Sequence, residues 1–245
     1  MEQLIRNLYI IIFVFLLVCC IPESDRYETR TADSYIYGYI EYYEMDLSAR
    51  TNRSIMVSVK GVHRYGAFST YGPDLDGYEA KCRKYSDYGY QLTFSLLKGS
   101  NDFIHMVPDR DFKNIEVFSD KMFDDCHPAG SNLSDCFFFA SVSPYKYIKN
   151  GYRVDVSIRD EHLPEYFVWD IADAGFVPVY GVLSELREED FILLGISNHC
   201  RDITPIFELI PIFEPSEKSV HTLTVRIEDT EGFIFKKQIR VDFSE

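Results

Sequence analysis

Apolar and polar residues alternate one by one along much of this chain, and a period of two is the spacing of a strand with one wet face rather than of a helix. Tyr152, Val154, Val156 and Ile158 share one face of a run whose other face carries Arg153, Asp155 and Ser157. Near the carboxyl end Leu223, Val225 and Ile227 alternate with Thr222, Thr224, Arg226 and Glu228. The tetrapeptide Asp229-Thr230-Glu231-Gly232 then offers a hairpin turn, with glycine available for a positive φ. The return run places Phe233, Phe235, Ile239, Val241 and Phe243 on one face, interrupted by Lys237, which reads as a bulge or an edge lysine. In the first half Ile55, Val57 and Val59 alternate with Met56, Ser58 and Lys60, and Tyr90, Leu92, Phe94 and Leu96 with Gln91, Thr93 and Ser95. Between them Arg64 to Gly89 reads as a loop, and only Leu183 to Asp190 is expected to be helical. Short strands separated by Gly, Pro, Asn and Asp clusters point to an all-β chain built as two β-sandwiches.

The amino terminus carries a second signal. Leu8 to Ile21 is an unbroken apolar run of 14 residues behind Arg6, the shape of a signal peptide and short of the ~20 residues that span a bilayer. It ends in Leu17-Val18-Cys19-Cys20, which resembles a bacterial lipobox, with Cys19 where such lipoproteins mostly place Gly, Ala or Ser. The resemblance implies that Cys20 is acylated and becomes the new terminus. The expected protein is therefore exported and lipid-anchored in a bacterial cell envelope, on the outer membrane or cell surface. Its expected organisation is a signal peptide at 1–19, a polar tether at 20–33, a tyrosine-rich β domain at 34–125 and a second β domain at 137–245.

Charge narrows the partners. With 39 acidic against 25 basic residues the net charge is −14, which repels phosphate backbones, so nucleic acid is not an expected partner and the membrane is reached through the lipid. Cys82, Cys126, Cys136 and Cys200 remain beyond the leader, an even number that suits disulfides outside the cytoplasm. Pro128, Gly130, Ser131 and Asn132 favour a turn that joins Cys126 to Cys136, leaving Cys82 for Cys200. The rival reading is a metal site using the adjacent pairs Cys126-His127 and His199-Cys200.

From about Phe138 to Phe243 the chain resembles immunoglobulin-like sandwiches of the PKD type. The likeness rests on Tyr145 to Ile158 as early strands, on Trp169-Asp170-Ile-Ala-Asp173-Ala-Gly175 in place of the family's Trp-Asp-Phe-Gly-Asp-Gly, and on the closing pair Thr222 to Phe243. It implies a fold and hardly a function. Trp169, with Phe167 and Ile171 on its own face, reads as a core anchor.

Candidate sites are few. No phosphate loop, His-Glu-x-x-His helix or Gly-x-Ser-x-Gly elbow is present, and no nucleophile stands beside a base, so the chain does not read as an enzyme. Asp74 and Asp76 precede Gly77 in a pattern that suggests a Ca2+ ligand pair or an ordinary turn, and Asp170 with Asp173 allows the same two readings. Asn52-Arg-Ser54 and Asn132-Leu-Ser134 match glycosylation acceptors. The most suggestive feature is tyrosine: Tyr65, Tyr71, Tyr78, Tyr85 and Tyr88 in one loop offer broad contact area at low entropic cost. The expected function is recognition of a surface ligand, polysaccharide or protein through that loop. The alternatives are a structural spacer in an envelope complex and, further off, an exported hydrolase.

Overall fold

The computed structural model describes residues 27–67, 74–97, 106–153, 175–195 and 203–244, without the side chains of 27–30, 63, 92–97 and 203–204. The expected strand at 152–158 from Val154 onward, the Trp169 motif with Asp170 and Asp173, Tyr71, and the pair His199-Cys200 lie outside these residues, as does the amino-terminal apolar run with Cys20.

Antiparallel strands dominate. They are β1 (Tyr27–Ala32), β2 (Gly38–Ala49), β3 (Ile55–Gly66), β4 (Leu92–Leu97), β5 (Met106–Pro108), β6 (Phe112–Ser119), β7 (Phe137–Ser143), β8 (Val177–Val182), β9 (Ile203–Pro211), β10 (Val220–Asp229) and β11 (Ile234–Asp242). Among the described residues two α-helices interrupt them, α1 (Leu75–Tyr85) and α2 (Tyr145–Lys149). One sheet runs β5-β2-β3-β9-β7-β8, a second runs β11-β10-β6, and β1 pairs with β4 as a separate ribbon. The β2–β5 pair alone among the recorded pairings is parallel.

The two larger sheets pack in a sandwich-like arrangement. Phe137, Phe139, Val57 and Phe207 of the six-stranded sheet share one core with Ile115, Val117, Leu223, Val225, Val241 and Phe243 of the three-stranded one. Val142 of β7 belongs to a different core, with Tyr39, Val107 and the helices. Phe139 and Val142 differ in parity, so β7 is buried on both faces, which explains why Phe137 to Ser143 reads as a continuous apolar and small run instead of alternating.

Each larger sheet draws strands from both sides of residues 120–136: β2 and β3 pair onward to β9, and β6 pairs with β10. The expected split into sandwiches at 34–125 and 137–245 is thereby corrected, because neither range closes a sheet of its own. The expected tether at 20–33 is shorter than it looked, since Tyr27 to Ala32 pairs residue for residue with Leu97 to Leu92. Tyr145 to Lys149, an expected strand, is helical; Pro144 opens it and Tyr147 and Ile148 turn inward as neighbours on one side. Leu183 to Asp190 forms two short 3-10 turns at Leu183–Glu185 and Glu188–Phe191.

The carboxyl-terminal hairpin matches its sequence pattern. Glu228 faces Ile234 across the Asp229–Gly232 turn, which Asp229 N closes on Phe233 O at 3.0 Å with Gly232 at φ +84. Lys237 reaches across to β2, donating to Met45 O at 3.1 Å and to Asp46 Oδ1 at 2.7 Å.

A polar segment, Asp109-Arg110-Asp111, joins the parts. Asp111 is almost fully buried; its Oδ1 accepts from Leu193 N at 3.1 Å, and its Oδ2 accepts from Tyr85 OH at 2.9 Å and Lys84 Nζ at 2.7 Å. Arg110 donates to Asp229 Oδ2 at 2.9 Å and to Tyr42 O at 2.6 Å, with its guanidinium 4.3 Å from the Tyr42 ring centre. Asp229 is fully buried and also accepts from Glu231 N and Phe233 N. Removing one partner of such a pair leaves a buried charge uncompensated, at ~3–5 kcal/mol. Arg110→Met is therefore expected to lower the unfolding free energy in urea by about 3 kcal/mol. Lys113→Met, which removes the exposed partner of Glu228, should change it by less than about 1 kcal/mol, and equal effects would refute the assignment.

Candidate functional site

The expected loop at 64–89 contains α1, and the residues show why. Tyr78, Cys82 and Tyr85 recur at i, i+4 and i+7 and are the buried face of the helix. Asp74 caps its amino end by accepting from Gly77 N at 2.7 Å, while Arg83 and Lys84 occupy the last turn, where cations suit the helix dipole. Gly77 is required by close approach: a Cβ there would sit 2.7 Å from the Tyr65 ring. The helix packs on Tyr39, whose ring centre lies 6.0 Å from that of Tyr78 and 6.1 Å from that of Tyr85.

Most of the tyrosine cluster is therefore core. Tyr78 and Tyr85 are buried, Tyr65 is half-buried with Lys81 Nζ 4.7 Å from its ring centre, and Tyr88 alone of the four described loop tyrosines is exposed, at 60%. This corrects the expected loop surface. A tyrosine count does not distinguish a recognition face from a helix seam, whereas the spacing 78, 82, 85 would have done so. Asp74 and Asp76 are likewise corrected as a Ca2+ pair, since Asp74 serves as the helix cap and Asp76 is exposed in the first turn. Both glycosylation-like triplets close side-chain turns: Asn52 Oδ1 accepts from Ser54 N at 3.2 Å, and Asn132 Oδ1 from Ser134 N at 2.9 Å.

A cleft of about 420 Å³ opens where α1 meets the start of the folded body. Thr31 to Ser34 form one wall, Leu75, Glu79 and Arg83 a second, and Asp87 with Tyr88 the end; Tyr78 and Cys82 lie at the floor. The buried carboxylate of Asp87 builds the junction. Its Oδ1 accepts from Tyr35 N at 2.7 Å and Tyr152 OH at 3.0 Å, and its Oδ2 from Ile36 N at 2.8 Å. Burial raises its pKa and outweighs those three donors, which pull the other way. Burial, and then the Asp87 charge, push the Cys82 thiol up to about 11, so this sulfur sits in the cleft as a neutral thiol and not as a nucleophilic thiolate. The exposed groups at the rim are Thr31, Asp33, Leu75, Glu79, Arg83 and Tyr88. They provide hydroxyl acceptors, one cation and an aromatic face.

A second cluster lies at the opposite sequence landmark, the 124–136 turn. Asp124 Oδ1 accepts from Cys126 N at 2.7 Å, His127 N at 2.9 Å and His127 Nδ1 at 2.8 Å. His127 Nε2 lies 3.1 Å from Asp135 Oδ1, and Cys136 Sγ lies 3.7 Å from His127 Nδ1. Hydrogen bonding to Asp124 first, then the neighbouring carboxylate charges, raise the His127 pKa. Burial, then Asp135, push the Cys136 thiol up to about 12. The expected Cys126–Cys136 disulfide is corrected here: both thiols are free, Cys126 exposed on the turn and the Cys136 sulfur turned inward against the His127 ring, while Cys82 is also free and its expected partner Cys200 lies outside the described residues.

Comparison with protein-family models, with curated proteins and with solved structures finds no match to this chain. The chemistry of its thiols can be checked directly. In chelator-treated native protein at neutral pH, iodoacetamide is expected to modify Cys126, and to reach Cys82 and Cys136 only after unfolding. Peptide mass spectrometry showing native Cys82 or Cys136 reacting as fast as Cys126 would contradict the burial described.

Proposed function

We propose that this chain is an exported protein anchored in a bacterial envelope through a lipid on Cys20, and that it binds an uncharged, hydroxyl-rich ligand, a polysaccharide segment, in the cleft beside α1. The observation that carries the binding half is the cleft itself. Its volume falls in the ~300–1,000 Å³ range of ligand sites, and its rim combines an exposed aromatic face with carboxylates and a guanidinium. Sugar rings stack on such a face while their hydroxyls donate to Asp33 and Glu79 and accept from Arg83. An anionic ligand is disfavoured by the net charge of −14.

The anchoring half rests on the apolar run and the Cys19-Cys20 end. No helix among the described residues is long and apolar enough to cross a membrane. Six residues, 21 to 26, separate Cys20 from the first described strand, so the cleft wall at Thr31 to Ser34 would be tethered close to the bilayer; seven extended steps reach at most about 25 Å. A spacer role has less to support it, since a spacer needs no cleft.

Two measurements test the two halves. Expressed in a bacterial host, the wild type should incorporate labelled palmitate and Cys20→Ala should not; an unlabelled wild type beside a labelled control lipoprotein would remove the anchor. On an array of bacterial and host glycans the folded body should bind a discrete set of neutral saccharides. Tyr88→Ala should weaken that binding by ~1–3 kcal/mol, the scale of a lost aromatic anchor. Binding that ignores Tyr88→Ala and Glu79→Ala alike would place the ligand elsewhere.

A further inference from the structure

The cluster at residues 124–136 holds more chemistry than the cleft uses. Asp124, His127 and Cys136 each offer one ligand atom, and these atoms lie within 4.8 Å of one another. A zinc ion bound at about 2.3 Å to sulfur and about 2.0 Å to nitrogen in a tetrahedron sets those two atoms about 3.5 Å apart. Cys136 Sγ already lies 3.7 Å from His127 Nδ1 and 3.8 Å from Nε2. The donor set of thiolate, imidazole and carboxylate suits zinc, whereas calcium and magnesium select oxygen alone.

Three further features fit a metal better than a chance contact. The turn that carries the ligands is pre-built, because Asp124 Oδ1 receives the backbone N–H groups of Cys126 and His127 and Phe123 N donates to His127 O at 2.8 Å. If Nδ1 faces the ion, the other ring nitrogen is already held by Asp135, at 3.1 Å, the arrangement in which a carboxylate orients a zinc-bound histidine. Beneath the cluster Phe123, Leu133 and Phe137 anchor both arms in the sandwich core.

We propose that Asp124, His127 and Cys136, with a water molecule in the fourth position, form a zinc site that ties the 123–127 turn to the start of β7. Binding exchanges protons for the cation: the Cys136 thiol ionises, His127 gives up the Nδ1 proton it donates to Asp124 and keeps the Nε2 proton toward Asp135, the released protons pass to solvent, and Asp124 turns an oxygen to the metal. No electron is transferred. The site is independent of the cleft and of the lipid anchor, and its role is structural.

The test uses the full chain purified under reductant and dialysed against metal-free buffer after loading with zinc alone. One zinc per chain should remain by elemental analysis, and cobalt substituted for it should give a thiolate-to-metal charge-transfer band. Cys136→Ala and His127→Ala should lose both signals, while Cys82→Ala keeps them. Asp135→Asn, whose side chain is more than half exposed, should fold normally and weaken zinc by about 10-fold or more in competition with a chromophoric chelator. Circular dichroism of each variant separates lost ligation from lost folding. Zinc retention well below one per chain, unchanged affinity in both Cys136→Ala and Asp135→Asn, or a Cys126–Cys136 disulfide in the zinc-loaded protein would each overturn the proposal.

Discussion

The architecture depends on three charged residues that no apolar core would choose. Asp111 reaches α1 through Lys84 and Tyr85 and the 190s turn through Leu193 N, and Arg110 reaches β2 through Tyr42 O and the β10–β11 turn through Asp229. Apolar packing is non-directional, so it can hold two sheets together without fixing how a helix sits on one of them. Charge-assisted hydrogen bonds are directional, and a buried carboxylate with an unmet lone pair is expensive enough to penalise alternative arrangements. Asp111 thus helps set the position of α1, and with it the geometry of the cleft. The placing of Leu75, Glu79 and Arg83 along the cleft therefore depends on residues far from them in sequence.

What was legible in the sequence follows from which faces are wet. β10 and β11 lie in an outer sheet with one solvated side, so Leu223, Val225 and Ile227 alternate cleanly with polar residues, and the hairpin and its Gly232 turn could be read directly. β7 is covered on both faces and carries no such period. The helix α1 was hidden for a different reason. Its seam is made of tyrosines and a cysteine, residues equally at home at a binding surface, and its cap Asp74 imitates the start of a calcium loop. The interleaving of the two halves leaves no local mark at all, because pairing of β3 with β9 is a relation between residues about 150 positions apart.

The site residues divide in the same way. Cys126, His127 and Cys136 were visible as donors, and their nearness to one another followed from the turn formers between them. Their state did not follow, since a bonded pair and a pair of thiols share one sequence. The orientation of the Cys136 sulfur toward His127, set by the Ser134–Cys136 turn and by the buried start of β7, decides between them. Asp124 and Asp135 gave no prior signal, because two aspartates in a chain with 39 acidic residues are unremarkable until a backbone turn aims them at one imidazole.

The strand order β5-β2-β3-β9-β7-β8 also dictates when this chain can fold. A polypeptide emerging from its amino end delivers β2 and β3 early, but the central strand β9 runs to Pro211 and β10 and β11 come after it. Until then one long edge of β3 and the aromatic face of β2 have no partner, and contacts of high sequence separation close slowly. Nearly the whole chain must therefore be available before the sandwich can form, and until then its open strand edges are exposed to pairing with other chains.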